Sequence, residues 1–410
     1  MLEEYFSDAR AIGRHLEGPF GSHVDGFVAW LKDRGYTRRS VRRYVRAFGA
    51  LGRWLHRRKL GAGNLSTELA GRFLHRSGIG AVRPRERAAL KQVLAYLRQT
   101  GIAARDDAVS EPDPAECLIE EFSGYLLHNR ALAEVTVETR CSRVRLFLTA
   151  CFGTGCVDVD RLSVSDIQDF VLHYARDRAP RSHQGMLTTL RSFLRFLYLR
   201  GLITEELADH VPSVACWRQT SPPKWLPDED VERVLNCCDQ HSAIGQRDYA
   251  VLLLLARLGL RAGEVRLLEL NDIRWEAAEI SVRGKGPRRK RFPLPGDAGE
   301  AIAAYLKNAR PRCDSRRVFL RAIAPCRGLG SSTVGTIVSA ALRRAGLNPP
   351  MKGAYLFRHS LATHMLRNGA TLTEIGQILH HAHPDTTSIY AKVDIDGLRG
   401  LAMPWPGDYS

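Results

Sequence analysis

With 410 residues, and about 150 residues to a domain, the chain is long enough for two or three domains that each bury a core. Its 44% hydrophobic and 25% charged residues match an ordinary soluble protein and exclude a disordered, collagen-like or membrane-embedded chain. Lys plus Arg number 60 against 44 Asp plus Glu, a formal charge of +16; that surplus concentrates polyanions at the surface and makes nucleic acid the leading partner.

The N-terminus, Met1-Leu2-Glu3-Glu4, is acidic where a secretory signal is basic, and no apolar stretch follows it. Two helical segments then recur at a spacing of about 100 residues. In the first copy Thr37 is a candidate N-cap, with Val41, Tyr44, Val45, Phe48, Leu51 and Leu55 on one face. In the second, Thr136 opens the counterpart, with Val137, Cys141, Val144, Phe147 and Leu148 inside. The run from Leu65 to Phe73 is echoed from Leu162 to Phe170, and both begin like capped helices. The last segment of each copy, Leu90–Gly101 and Leu190–Gly201, stops at a glycine suited to a helix C′ position. Two small helical bundles in tandem are expected.

The polar face of the Thr37 helix carries Arg38, Arg39, Arg42, Arg43 and Arg46 with almost no acid between them, a pattern suited to phosphates along a duplex. Arg140 and Arg143 offer a thinner version in the second copy.

Prolines in Ser221-Pro222-Pro223-Lys224-Trp225-Leu226-Pro227 break helices and mark a boundary. Beyond it Asp228 is a candidate cap, Tyr249–Leu258 reads as a buried helix, and Glu279–Val282 and Arg291–Leu294 read as strands joined by a Gly/Pro turn that holds Lys285, Arg288 and Arg289. The longest apolar run, Ala250–Ala256, is far short of the roughly 20 residues that span a bilayer. Nine scattered cysteines without a C-x-x-C pair fit a reducing cytosol and no zinc ribbon.

Four segments of this half carry chemistry: Leu258–Val265, the Gly284-Lys285-Gly286 tip, Tyr355–His364 and Leu379–Tyr390. Singly, three of them have a plain structural reading: an intrahelical Arg261–Glu264 pair, a solvated turn lysine, a surface tyrosine. In this order and at these intervals they resemble the catalytic domain of the tyrosine recombinases, the phage integrase family, from about Trp225 to Val393. The stretch from about Cys117 to Ile203 is similar to that family's SAM-like core-binding domain.

The resemblance implies a mainly α fold with a small antiparallel β-sheet (α+β) in the catalytic domain. It implies a division into an additional N-terminal DNA-binding bundle at 1–106, a core-binding domain at 112–215 and a catalytic domain with its tail at 224–410. By position the family's catalytic roles fall on Arg261, Lys285, Arg358, His381 and Tyr390, with Glu264 as supporting acid. Two guanidinium forks stabilise charge on the non-bridging oxygens; His381 donates a further hydrogen bond; Tyr390 attacks phosphorus to give a 3′-phosphotyrosyl intermediate; Lys285 protonates the leaving 5′-oxygen. No cofactor, metal or ATP is implied, and His380, His381 and His383 lack the companions of a zinc site.

Two positions depart from the pattern. Tyr355 stands where the family usually has a histidine, and a phenol, with an ordinary pKa of about 10, does not shuttle protons near neutrality; His359 is placed to compensate. His380 replaces a usual glycine. The implied partners are double-stranded DNA and three further protomers, identical or related, assembled on it, with no membrane; the implied location is the bacterial cytoplasm at the nucleoid. A DNA-binding accessory homologue without cleavage, or a type IB topoisomerase-like activity, remain alternatives.

Overall fold

The repeat visible in the sequence is a repeat of helix-ending rules. In the computed structural model, which describes residues 1–74, 84–103, 113–153, 157–176, 180–213, 223–284, 289–381 and 383–393, the first bundle comprises α1 (Ala9–Leu16), α2 (Val24–Asp33), α3 (Arg38–Arg57), α4 (Thr67–Leu74) and α5 (Pro84–Gln99). The second comprises α6 (Pro114–Gly124), α7 (Glu134–Phe152), α8 (Val164–Ala175) and α9 (Pro180–Leu199). Thr37 caps α3 by accepting from the Ser40 N–H, and all six residues of the expected stripe are buried. Ser66 accepts from the Leu69 N–H at α4, and Ser163 and Asp166 satisfy each other's backbone N–H groups at α8. Helices α5 and α9 end alike. Gly101 and Gly201 take φ of +71° and +68°, and the N–H groups of Ile102 and Leu202 return to the carbonyls of Leu97 and Leu197, closing the last turn as left-handed C′ residues do.

One boundary differs from expectation. Helix α7 starts at Glu134, with Ala133 in the cap position, so Thr136 lies inside the first turn. The acidic Glu134 there complements the N-terminal dipole without a side-chain cap.

The bundles have separate apolar cores, one around Phe27, Phe48 and Val93, the other around Phe122, Phe147 and Phe193. Chain contacts group Met1–Arg105 with Ser221–Ser410 and leave Asp106–Thr220 as a second unit. The first bundle meets the C-terminal half where the Cys326 N–H donates to the Arg34 carbonyl.

That half contains α10 (Asp228–Asn236), α11 (Ala243–Leu258), α12 (Ala262–Leu267), the strands β1 (Ile273–Arg274), β2 (Glu279–Arg283) and β3 (Arg289–Pro293), then α13 (Gly296–Ala304), α14 (Thr333–Arg344), α15 (Ala354–Arg367) and α16 (Leu372–Ile378). Pro227, fixed near the extended region, occupies the cap of α10, and Asp228 is its first residue rather than the cap. The sheet is antiparallel in the order β1-β2-β3, with Ile280 opposite Phe292 and Val282 opposite Lys290. Helix α11 runs through the middle of the core, buried without a break from Ala250 to Ala256. Among the described residues, no helix is long and apolar enough to cross a membrane.

Candidate active site

Three of the four segments, those holding Arg261, Arg358 and the pair His381 and Tyr390, converge on one pocket. Helix α11 ends at Gly259, whose φ is +58° and where a Cβ would lie 2.8 Å from the Leu379 side chain and 3.1 Å from that of Leu361. Only glycine meets both demands. Arg261 follows, and here the expected intrahelical pair is corrected: Arg261 is extended and occupies the cap of α12, with Glu264 at its third position. The Glu264 carboxylate accepts from the Arg261 backbone N–H at 2.8 Å and from its guanidinium at 2.9 Å. Glu264 is only 4% exposed, so both its oxygens serve to fix that arginine. Burial pulls the Arg261 pKa down, but Glu264, with Tyr355, outweighs it and the net shift is upward.

Arg358, on α15, is buried and donates to the Gly259 carbonyl at 2.6 Å and to the Leu379 carbonyl at 2.5 Å. Those two bonds join the end of α11 to the end of α16 through one side chain. Burial lowers its pKa, and the neighbouring Arg261 lowers it further. Two guanidiniums held together against their repulsion form a pocket that an anion relieves.

His381 follows α16. Its Nδ1 lies 2.6 Å from the buried Thr387 hydroxyl, and burial together with Arg358, Arg261 and Lys290 pushes its pKa down to about 4. Tyr390, in the short turn Ser388–Val393, is 1% exposed. Its ring lies nearly parallel to that of His381, 8° apart in plane at 6.4 Å between centroids. The Tyr390 hydroxyl is 3.0 Å from Nδ1 of His359. Burial drives the phenol pKa up to about 12 although Arg358 and Arg261 pull the other way. Tyr355 is exposed, with its ring 5.6 Å from that of His359 and its electrostatic contact on Arg261.

Lys285 and Arg288 lie outside the described residues. The hairpin nonetheless delivers a lysine that sequence reasoning missed. Lys290 on β3 donates from Nζ to the His380 carbonyl at 2.6 Å, and burial, then Arg261, lowers its pKa. The signal was strand alternation: Lys290 shares a face with Phe292, whose ring meets that of His380 edge-on at 4.6 Å. His380 itself has φ of +50°, the left-handed conformation that explains why glycine is usual at this position.

The outlying cations have different surroundings. Arg38, Arg39, Arg42, Arg43 and Arg46 line an open groove of about 680 Å³ on α3. Arg42 and Arg46 sit over the Phe6 ring and Arg43 over Tyr44. Among the described residues none of the five is ion-paired. Arg140 donates to Ser192, and Arg143 to the Gly185 carbonyl and Thr189, so both also tie α7 to α9. Arg289 donates to the buried carboxylate of Asp272 at 2.9 Å. Among the described residues no group of three His, Cys, Asp or Glu side chains is arranged to hold a metal.

The profile of the phage integrase family matches residues 224–396, and that of the phage integrase N-terminal SAM-like domain matches residues 119–201. The chain is 44% identical over 412 residues to the integrase/recombinase y4rA of Sinorhizobium fredii, covering 99% of each. It is 30% identical over 282 residues to tyrosine recombinase XerD of Listeria monocytogenes, covering 67% of this chain and 94% of that one. The fold is that of the XerH site-specific recombinase in its post-cleavage complex with palindromic difH, at a TM-score of 0.52 and 16% identity over 71% of this chain and 97% of that one. On sequence, fold and the pocket together, the chain belongs to the phage integrase family of tyrosine recombinases.

Proposed function

We propose that the chain cuts and rejoins double-stranded DNA at specific sites through a 3′-phosphotyrosyl intermediate, with Tyr390 as nucleophile. The observation that carries this reading is the meeting of Tyr390, Arg261, Arg358 and His381 in one pocket of one chain. Arg261 and Arg358 clamp the non-bridging oxygens, preorganised by Glu264 and by two backbone carbonyls, so charge that grows in the transition state meets donors that need not move. His381 donates a further hydrogen bond to the same phosphate, and Tyr355 supports Arg261. Lys285 protonates the leaving 5′-oxygen, and Lys290 supplies a second ammonium beside the phosphate. The phosphotyrosyl bond conserves the energy of the broken one, which makes rejoining independent of ATP, and the donors are guanidinium, imidazole and ammonium groups rather than a metal's carboxylates.

The remaining assignments belong to the same proposal. The division 1–106, 112–215 and 224–410 separates an additional DNA-binding bundle, a core-binding domain and the catalytic domain. Arg38, Arg39, Arg42, Arg43 and Arg46 contact phosphates, with Arg140, Arg143, Arg288 and Arg289 contributing to the DNA-facing charge. Four protomers, identical or related, assemble on two duplexes. The name of the y4rA relative supports integration, and we place the activity with a bacterial mobile element, in the cytoplasm at the nucleoid.

A nicked suicide substrate that loses its 5′-hydroxyl fragment after cleavage tests the reading. The native chain accumulates a denaturation-resistant protein–DNA adduct, with or without EDTA, and Tyr390→Phe gives none. Salt-sensitive retention of DNA without any adduct would make the chain an accessory binder instead.

A further inference from the structure

From the contact between His359 and Tyr390 we infer that His359 is a catalytic residue of this chain, the acceptor of the Tyr390 phenolic proton during DNA cleavage. The inference rests on the assignment of Tyr390 as nucleophile and adds to it the one component that assignment lacks.

A phenol buried at 1% exposure, with its pKa pushed up to about 12, is protonated at neutral pH and is a poor nucleophile. Some group must take the proton as the oxygen attacks. Tyr355 cannot, being itself a phenol. His381 already has Nδ1 engaged with Thr387 and lies parallel to Tyr390 rather than directed at its hydroxyl. Nδ1 of His359 is 3.0 Å from that hydroxyl, within the reach required of a general base. One helical turn of α15 relates Tyr355 to His359, so the imidazole stands next to Arg358 on its C-terminal side instead of three residues before it.

The groups facing His359 are Arg358 and Tyr355 on its own helix, Tyr390 from the C-terminal turn and His381 from the segment after α16. Burial and then Arg358 hold its pKa down at about 4, so the resting imidazole is neutral, and Nδ1 accepts when Nε2 carries the hydrogen. A phosphodiester entering between the two arginines brings the negative charge that favours the imidazolium.

The step balances. As the Tyr390 oxygen bonds to phosphorus, its O–H bond breaks and the proton passes to Nδ1. The bond from phosphorus to the 5′-oxygen breaks, and that oxygen takes a proton from the hairpin lysine. Rejoining reverses both transfers, His359 returning its proton to the departing phenolate.

The test measures single-turnover adduct formation by the full chain on two suicide substrates, one with the natural 5′-oxygen and one with a bridging 5′-sulfur, a leaving group that needs no proton. His359→Ala is expected to slow both by about 10²–10⁴-fold, while a lysine variant that fails on oxygen recovers on sulfur. His359→Asn, which keeps an acceptor near the Nδ1 position but takes up no proton, should stay as slow as His359→Ala, with native DNA retention and a native melting profile at pH 7 and above. Restoration by Asn would reduce His359 to a positioning residue and overturn the inference. Recovery of His359→Ala on sulfur would place its action at the leaving group and overturn it equally. If the native chain forms no adduct on either substrate, the assignment of Tyr390 fails and takes this inference with it.

Discussion

Arg358 ties two helix ends together with the same side chain that is proposed to clamp the phosphate. Its bonds to the Gly259 and Leu379 carbonyls fix the guanidinium plane, and a lysine cannot reproduce that fork. Arg358→Lys should therefore lower adduct formation by about 10²–10³-fold while DNA retention in a gel-shift assay changes little. The buried imidazoles give a second outcome. His359 and His381 titrate at about 4 in the folded chain against an ordinary 6.5 when exposed. The unfolded chain thus binds protons that the folded chain refuses, so stability is complete above about pH 6.5 and falls as the pH drops toward 4. For His359 the loss reaches up to about 3 kcal/mol. Denaturant melts of native and His359→Asn protein between pH 7 and 4 check it: the variant should lose less across that window. At this scale the roles proposed for Arg261, Arg358, His381 and Tyr390 come from their order and intervals in the sequence, which resemble those of a family, and folding brings the four side chains together. The His359–Tyr390 contact was not legible there, since 31 residues separate the partners and only folding brings them together.

Helices, hairpin and turns decide where those side chains stand. The end of α11 is the critical joint: Gly259 adopts a left-handed conformation, its carbonyl holds Arg358, and a Cβ there would run into Leu379 and Leu361. Gly259→Ala should destabilise the C-terminal half by about 1–3 kcal/mol and lower cleavage together with it, as followed by thermal melting and adduct yield. Sequence patterning located α3, α5, α8, α9 and α11 because apolar periodicity and glycine stops act locally. It placed the cap of α7 three residues late, at Thr136 instead of Ala133, since a threonine that suits a cap does not compel one when an acidic residue upstream already favours the first turn. Lys290 escaped notice for a related reason. Hairpin basicity is plain in the sequence, but which of Lys285, Arg288, Arg289 and Lys290 reaches a pocket depends on strand register, and register is set by the pairing of Val282 with Lys290 and Ile280 with Phe292.

Over the whole molecule, the net charge of +16 is an argument about partners rather than fold, and its clearest local expression is the arginine groove on α3. Aromatic faces of Phe6 and Tyr44 hold three of these guanidiniums without neutralising them. If the groove contacts phosphates, Arg42→Ala with Arg46→Ala should reduce the slope of log affinity against log salt by about 2, read from DNA titrations at several salt concentrations. An unchanged slope would assign the groove to solvent alone. The tandem pair of helical bundles was legible from a period of about 100 residues, whereas the grouping of the first bundle with the C-terminal half, where the Cys326 N–H donates to the Arg34 carbonyl, is long-range and no local pattern encodes it. The most direct measurement is peptide mapping of the trapped protein–DNA adduct by mass spectrometry. A nucleotide joined through its 3′-phosphate to the peptide carrying Tyr390 is expected; attachment to any other residue, or to a 5′-phosphate, would rule out Tyr390 as the nucleophile of 3′-linked cleavage.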